Sequence, residues 1–88
     1  MSKLNILSTH HAFADYQYWQ QQDKKMLKRI NQLIKSIQRD GALEGIGKPE
    51  KLKGNLSGFY SRRIDTEHKL VYTVNEQQIN IIACRYHY

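Results

Sequence analysis

Cysteine is nearly absent from this chain: Cys84 stands alone among 88 residues. That excludes an internal disulfide and a cysteine metal cluster. Long apolar runs are missing too. A membrane-spanning helix needs roughly 20 such residues, and the longest stretch here, Ile79 to Cys84, is interrupted by Asn80. The opening Met1-Ser2-Lys3-Leu4-Asn5 lacks the apolar core of a secretory signal, so the expectation is a cytoplasmic protein with no membrane attachment. Acids are the third shortage. Eight Asp and Glu face fourteen Lys and Arg, a net charge of +6. Such a field argues against small cationic ligands and for a polyanion, whether nucleic acid, an acidic protein or an anionic surface. Charge alone does not choose among them.

What is present fits one domain spanning 1–88, with hydrophobic content of 40% for a single core. Asn5-Ile6-Leu7 reads as a short strand, and Ser8 or Thr9 as the cap of a helix over about 11–21. Helical spacing groups Ala12, Phe13, Tyr16 and Trp19 near one face, which makes Phe13, Tyr16 and Trp19 core residues. Asp23 caps a second helix whose stripe is Met26, Leu27, Ile30, Leu33, Ile34 and Ile37. The other side of that helix carries Lys24, Lys25, Lys28, Arg29, Lys35 and Arg39, with no acid between residues 24 and 39. It reads equally as a solvated surface and as a contact for RNA phosphates or an acidic protein.

From Asp40 to Gly58 glycine density and the lone proline, Pro49, mark a loop. It is long for so small a chain, and long ordered loops are more often functional than connecting. No phosphate-binding P-loop forms, because the Gly-Lys-Ser/Thr ending is missing. Beyond Phe59 the period becomes two, giving strands over about 60–64, 69–74 and 79–85 joined by Asp65–His68 and Asn75–Gln78. The expected fold is α+β in β-α-α-β-β-β order, with two N-terminal helices packed on a largely antiparallel sheet. The face turned from the helices is left for solvent or a ligand.

The polar groups fall on the loop and on that meander. Glu50, Lys51 and Lys53 lie in the loop, Arg62 and Arg63 on the first strand, Lys69 at the start of the next, and Arg85, His87 and Tyr88 at the end. Strand parity points Arg62 and Arg63 to opposite faces, so one of them faces the open side. A carboxylate, a set of cations and an imidazole suit RNA cleavage by the adjacent 2′-hydroxyl. A base takes the hydroxyl proton, cations stabilise the pentavalent phosphate, and an acid protonates the leaving oxygen. That chemistry requires no metal or other cofactor, since the RNA supplies the nucleophile. Glu50 is the candidate base and His87 the candidate acid; an ordinary imidazole, pKa about 6.5, is partly protonated near neutrality. Against this, most loop glutamates are simply solvated and chain ends fray. His10 and His11 read as helix-start residues and His68 as an exposed turn residue. No His, Cys and Glu spacing proposes zinc. A basic binding module without catalysis, and a ribonuclease that needs no ribosome, stay open on these residues.

Several blocks together carry a resemblance: Asp15-Tyr16-Gln17-Tyr18-Trp19-Gln20, Gly47-Lys48-Pro49-Glu50-Lys51-Leu52-Lys53, Asn55 to Ile64, and Ala83-Cys84-Arg85-Tyr86-His87-Tyr88. In order and spacing, from Leu4 to Tyr88, the chain resembles the YoeB/Txe toxins of the RelE-like mRNA interferase family. The resemblance implies a RelE-like microbial ribonuclease fold and a toxin that cuts mRNA in the ribosomal A site. By position it implies Glu50 as general base, His87 as general acid and Tyr88 as an orienting group. Lys53 and Arg63 fall at the scissile phosphate. It also implies mRNA and ribosome as partners, a YefM/Phd-like antitoxin, a homodimer, and operator DNA contacted only through the antitoxin complex. One position departs: where the family commonly has a second catalytic arginine, this chain has Lys69. Lysine keeps the charge and loses the planar fork that grips two phosphate oxygens.

Overall fold

A computed structural model describes residues 4–85. Each helix starts where a short polar side chain accepts the first free N–H groups. Thr9 is the cap of α1 (His10–Gln22), its Oγ1 accepting from Ala12 N at 3.0 Å. Asp23 serves both helices. Its backbone N–H closes α1 onto Trp19 O, and its carboxylate accepts from Lys25 N and Met26 N at the start of α2 (Lys24–Asp40). Gly41, at φ +95°, ends α2 with its N–H on Ile37 O; only glycine takes that backbone freely.

The strands are β1 (Asn5–Ser8), β2 (Glu50–Lys51), β3 (Tyr60–Arg63), β4 (Lys69–Val74) and β5 (Gln78–Ala83). They form one sheet in the order β1-β5-β4-β3-β2. β1 runs parallel to β5, and the other neighbours are antiparallel. Both tight turns of the meander are closed by an acceptor side chain. Asp65 Oδ1 takes the N–H of Glu67 and His68, and Asn75 Oδ1 those of Gln77 and Gln78; such side chains mimic a backbone turn. The expected α+β fold is therefore present, with one addition. The loop over 40–58 contains β2 and a single 3-10 turn (Gly54–Leu56), so the order is β-α-α-β-β-β-β.

The core lies between the helices and one face of the sheet. Ile30, Leu33 and Ile37 of α2 and Leu70, Tyr72 and Ile79 are all 0% exposed. Each such aliphatic side chain stabilises by about 1.5–3 kcal/mol through burial. Two placements correct the sequence reading. Phe13 is 53% exposed, because the buried line of α1 runs Ala12, Asp15 and Trp19. Asp15 belongs on that line because its Oδ2 accepts Cys84 N at 3.0 Å, and this turns Phe13 towards solvent. His68 is buried rather than exposed, its ring edge-on to Trp19 at 4.8 Å. Among the described residues no helix is long and apolar enough to cross a membrane.

Candidate active site

Register decides which side chains share a face. Glu50 pairs with Ser61 and Ser61 with Val71, while Arg63 pairs with Lys69. Directly opposed residues point the same way, and so do residues two apart on a strand. Glu50, Arg63 and Lys69 thus stand on the face turned from the helices. Lys51, Tyr60, Arg62, Leu70 and Tyr72 point to the other. On the first of these faces Lys69 Nζ lies 3.6 Å from Glu50 Oε1, with the two side chains 27% and 57% exposed. Arg63 is exposed beside them.

Lys53 is exposed at the start of the 3-10 turn. It follows Leu52, which is buried and whose N–H donates to Phe59 O at 3.0 Å. Of the site positions Glu50, Lys53, Arg63 and Lys69, three therefore share one face across β2, β3 and β4, and Lys53 lies beyond the end of β2, outside the paired strands. His87 and Tyr88 lie outside the described residues. Arg85, the last described residue, places its guanidinium carbon 3.5 Å from the centroid of the Tyr18 ring.

The residue before the tail is held on both sides of its backbone. Cys84 N donates to Asp15, and Cys84 O accepts from Trp19 Nε1 at 2.8 Å. Burial pushes the Cys84 thiol up to about 12, with the Asp15 carboxylate adding to the effect.

Parity separated Arg62 from Arg63 in the sequence, but it did not show what the inner arginine does. Arg62 is 0% exposed. Its Nε donates to Tyr72 Oη at 2.8 Å, Nη1 to Ser36 Oγ and Ile46 O at 2.9 Å each, and Nη2 to Gly41 O at 2.7 Å and Glu44 O at 2.6 Å. Tyr72 Oη in turn donates to Ala42 O at 2.7 Å. Burial holds the Tyr72 phenol above its ordinary pKa, opposed by the adjacent Arg62, so it remains a neutral donor. Among the described residues no group of three His, Cys, Asp or Glu side chains is placed to hold a metal ion.

A two-helix layer on a mixed five-stranded sheet, with a carboxylate and cations on the far face, defines a RelE-like α+β toxin fold. Residues 8–88 match the family described as the YoeB-like toxin of bacterial type II toxin-antitoxin systems, and the chain belongs to that family. The Toxin YoeB of Synechocystis sp. (strain ATCC 27184 / PCC 6803 / Kazusa) is 56% identical over 85 residues, which are 97% of this chain and 98% of that protein. The YoeB dimer from Staphylococcus aureus aligns with a TM-score of 0.93 at 64% identity, covering 99% of this chain and 100% of the other. The YoeB-YefM complex from the same organism aligns at 0.91 and 63% identity, with the same coverage.

Proposed function

We propose that this chain is a metal-independent endoribonuclease that cuts mRNA in the ribosomal A site. The observation that carries the reading is the 3.6 Å approach of Glu50 and Lys69, with Arg63 beside them on one sheet face. A carboxylate next to fixed cations suits attack of an RNA 2′-hydroxyl on its own phosphate. Glu50 removes the proton, Lys69 and Arg63 meet the charge that develops on the phosphate, and Lys53 holds a flanking phosphate. His87 protonates the leaving 5′-oxygen and Tyr88 orients the RNA; both roles rest on the family likeness. The product is a 2′,3′-cyclic phosphate and a 5′-hydroxyl, so no water enters the first step.

The net charge of +6 favours the ribosome, itself a polyanion, as the platform on which mRNA is met. Likeness to the Staphylococcus aureus proteins supports a homodimer and a YefM-like antitoxin as partners. Operator DNA is then reached only through the antitoxin complex, and the protein acts in the cytoplasm.

Primer extension on ribosome-bound mRNA tests the mechanism. The wild-type chain cuts at defined codons, and the Glu50→Ala, His87→Ala double variant does not. Unchanged cutting by that variant removes the mechanism. Equal cutting of naked RNA removes the ribosome requirement.

A further inference from the structure

We propose that Arg62 is a positioning residue for Glu50: its buried guanidinium fixes the segment 41–47, and through it the strand that presents the carboxylate. The proposal rests on Glu50 as the base.

A buried arginine is ordinarily neutralised by a carboxylate, because removing its charge from water costs several kcal/mol. Here the direct acceptors are the Tyr72 and Ser36 hydroxyls and the carbonyls of Gly41, Glu44 and Ile46. The acid, Asp40, stands one step away, accepting the Ser36 hydroxyl at 3.1 Å. Five N–H groups in a rigid plane thus meet these five close acceptors, with Ala42 O a longer sixth at 3.5 Å from Nη2. For those carbonyls to converge, the loop must take one path around the cation.

The loop shows the consequences of that wrapping. A Cβ on Gly47 (φ +87°) meets Leu33 Cδ2 at 2.6 Å, and one on Gly45 (φ +105°) meets Asp40 Oδ2 at 2.7 Å. Ser36 Oγ also accepts Ile46 N at 3.2 Å. Past the clamp, Gly47 O accepts Arg63 N at 2.7 Å. Only Lys48 and Pro49 then precede Glu50. Neither is slack: proline fixes its own φ, and Lys48 holds φ +51°, a conformation that costs a non-glycine residue of the order of 1 kcal/mol. The path from Arg62 to Glu50 is therefore short and stiff. The neighbouring arginines divide the work, Arg62 fixing the loop from the core side and Arg63 facing the site.

The experiment is single-turnover cleavage on ribosomes programmed with mRNA, for Arg62→Lys, Glu50→Gln and the pair, with folding followed by thermal melting. Lysine keeps the charge and cannot span the five acceptors. Folded Arg62→Lys is expected to cleave roughly 10- to 100-fold more slowly, the range a displacement of about 1 Å produces, at unchanged half-saturating ribosome concentration. In the Glu50→Gln background the same change is expected to add nothing. Additive losses, or a wild-type rate in folded Arg62→Lys, overturn the proposal. If Arg62→Lys does not fold, Tyr72→Phe enters the same cycle, since it removes the Arg62 Nε acceptor and the bond to Ala42 O. A smaller, equally non-additive loss then supports the proposal and additivity overturns it. Full activity of Glu50→Gln alone refutes Glu50 as base and takes the proposal with it, an outcome separate from the others.

Discussion

The carboxylate of Glu50 and the ammonium of Lys69 face each other at 3.6 Å across β3, the strand that separates their own two strands. With the side chains 57% and 27% exposed, the pair adds little to stability, about 0–1 kcal/mol. Its consequence is geometric. It sets a carboxylate beside an ammonium on the face that also carries Arg63.

Lys69→Ala is accordingly expected to leave the unfolding free energy within about 1 kcal/mol of wild type. The single-turnover rate on the ribosome should fall by about 10²–10³, the loss typical of one transition-state charge contact. Lys69→Arg keeps the charge, adds the planar fork and should retain cleavage. Ribosome binding measured alongside decides the role: a binding loss as large as the rate loss makes Lys69 an attachment cation only.

The long-period features were legible from the sequence. Asp23 as a cap, the stripe Ile30, Leu33 and Ile37, and the two tight connections at Asp65–His68 and Asn75–Gln78 each follow from local chemistry and recur in the structure. Parity predicted that one of Arg62 and Arg63 turns inward. What stayed hidden depends on distant partners. Phe13 leaves its expected core place because Asp15, the carboxylate on α1, turns inward to accept the backbone of Cys84, far along the chain. His68 is buried by Trp19, which no local pattern announces. The strand β2, two residues long, shows no period at all, yet it aligns Glu50 with the sheet. The Arg62 clamp was illegible for the same reason: its carbonyl acceptors carry no side-chain signature.

Gly47→Ala provides a separate probe of the loop. Its backbone at φ +87° disfavours alanine, and the new Cβ meets Leu33 Cδ2 at 2.6 Å and Arg62 Cβ at 3.2 Å. A loss of about 1–3 kcal/mol is expected from strain of this kind, together with slower cleavage because Glu50 moves. Gly58→Ala is the control, since its φ of +94° is equally disfavoured but nothing lies within 4 Å of the added atom. Thermal melts and cleavage rates should show both variants destabilised and only Gly47→Ala slowed. Equal rates in the two exclude loop displacement as the cause.

Trp19→Phe removes the indole N–H that donates to Cys84 O and keeps most of the ring. The buried carbonyl is left without that donor, a cost of about 1–3 kcal/mol. Cys84 lies just ahead of the segment bearing His87, so cleavage should fall as well. Chemical denaturation and primer extension on one preparation check both parts. Unchanged stability means the bond contributes nothing net, and unchanged cleavage means the tail does not depend on this anchor.

The Cys84 thiol gives a pH prediction with a definite sign. Burial, followed by the Asp15 carboxylate, raises it from an ordinary 9.0 to about 12, so the folded protein holds the proton more tightly than the unfolded chain. Its contribution to stability is complete below pH 9.0 and is lost as the pH rises towards about 12. Phenols and amines in general ionise at about 10, so the measurement is a difference. Unfolding free energies of wild type and Cys84→Ala, taken in urea at two pH values inside that interval, should converge as the pH increases. The thiol is also 1% exposed, and alkylation at neutral pH should therefore be slow in the folded protein and fast in urea. Equal labelling in both states, or a difference between the two proteins that is constant with pH, shows that Asp15 and the packing of α1 against residue 84 do not hold the proton in place.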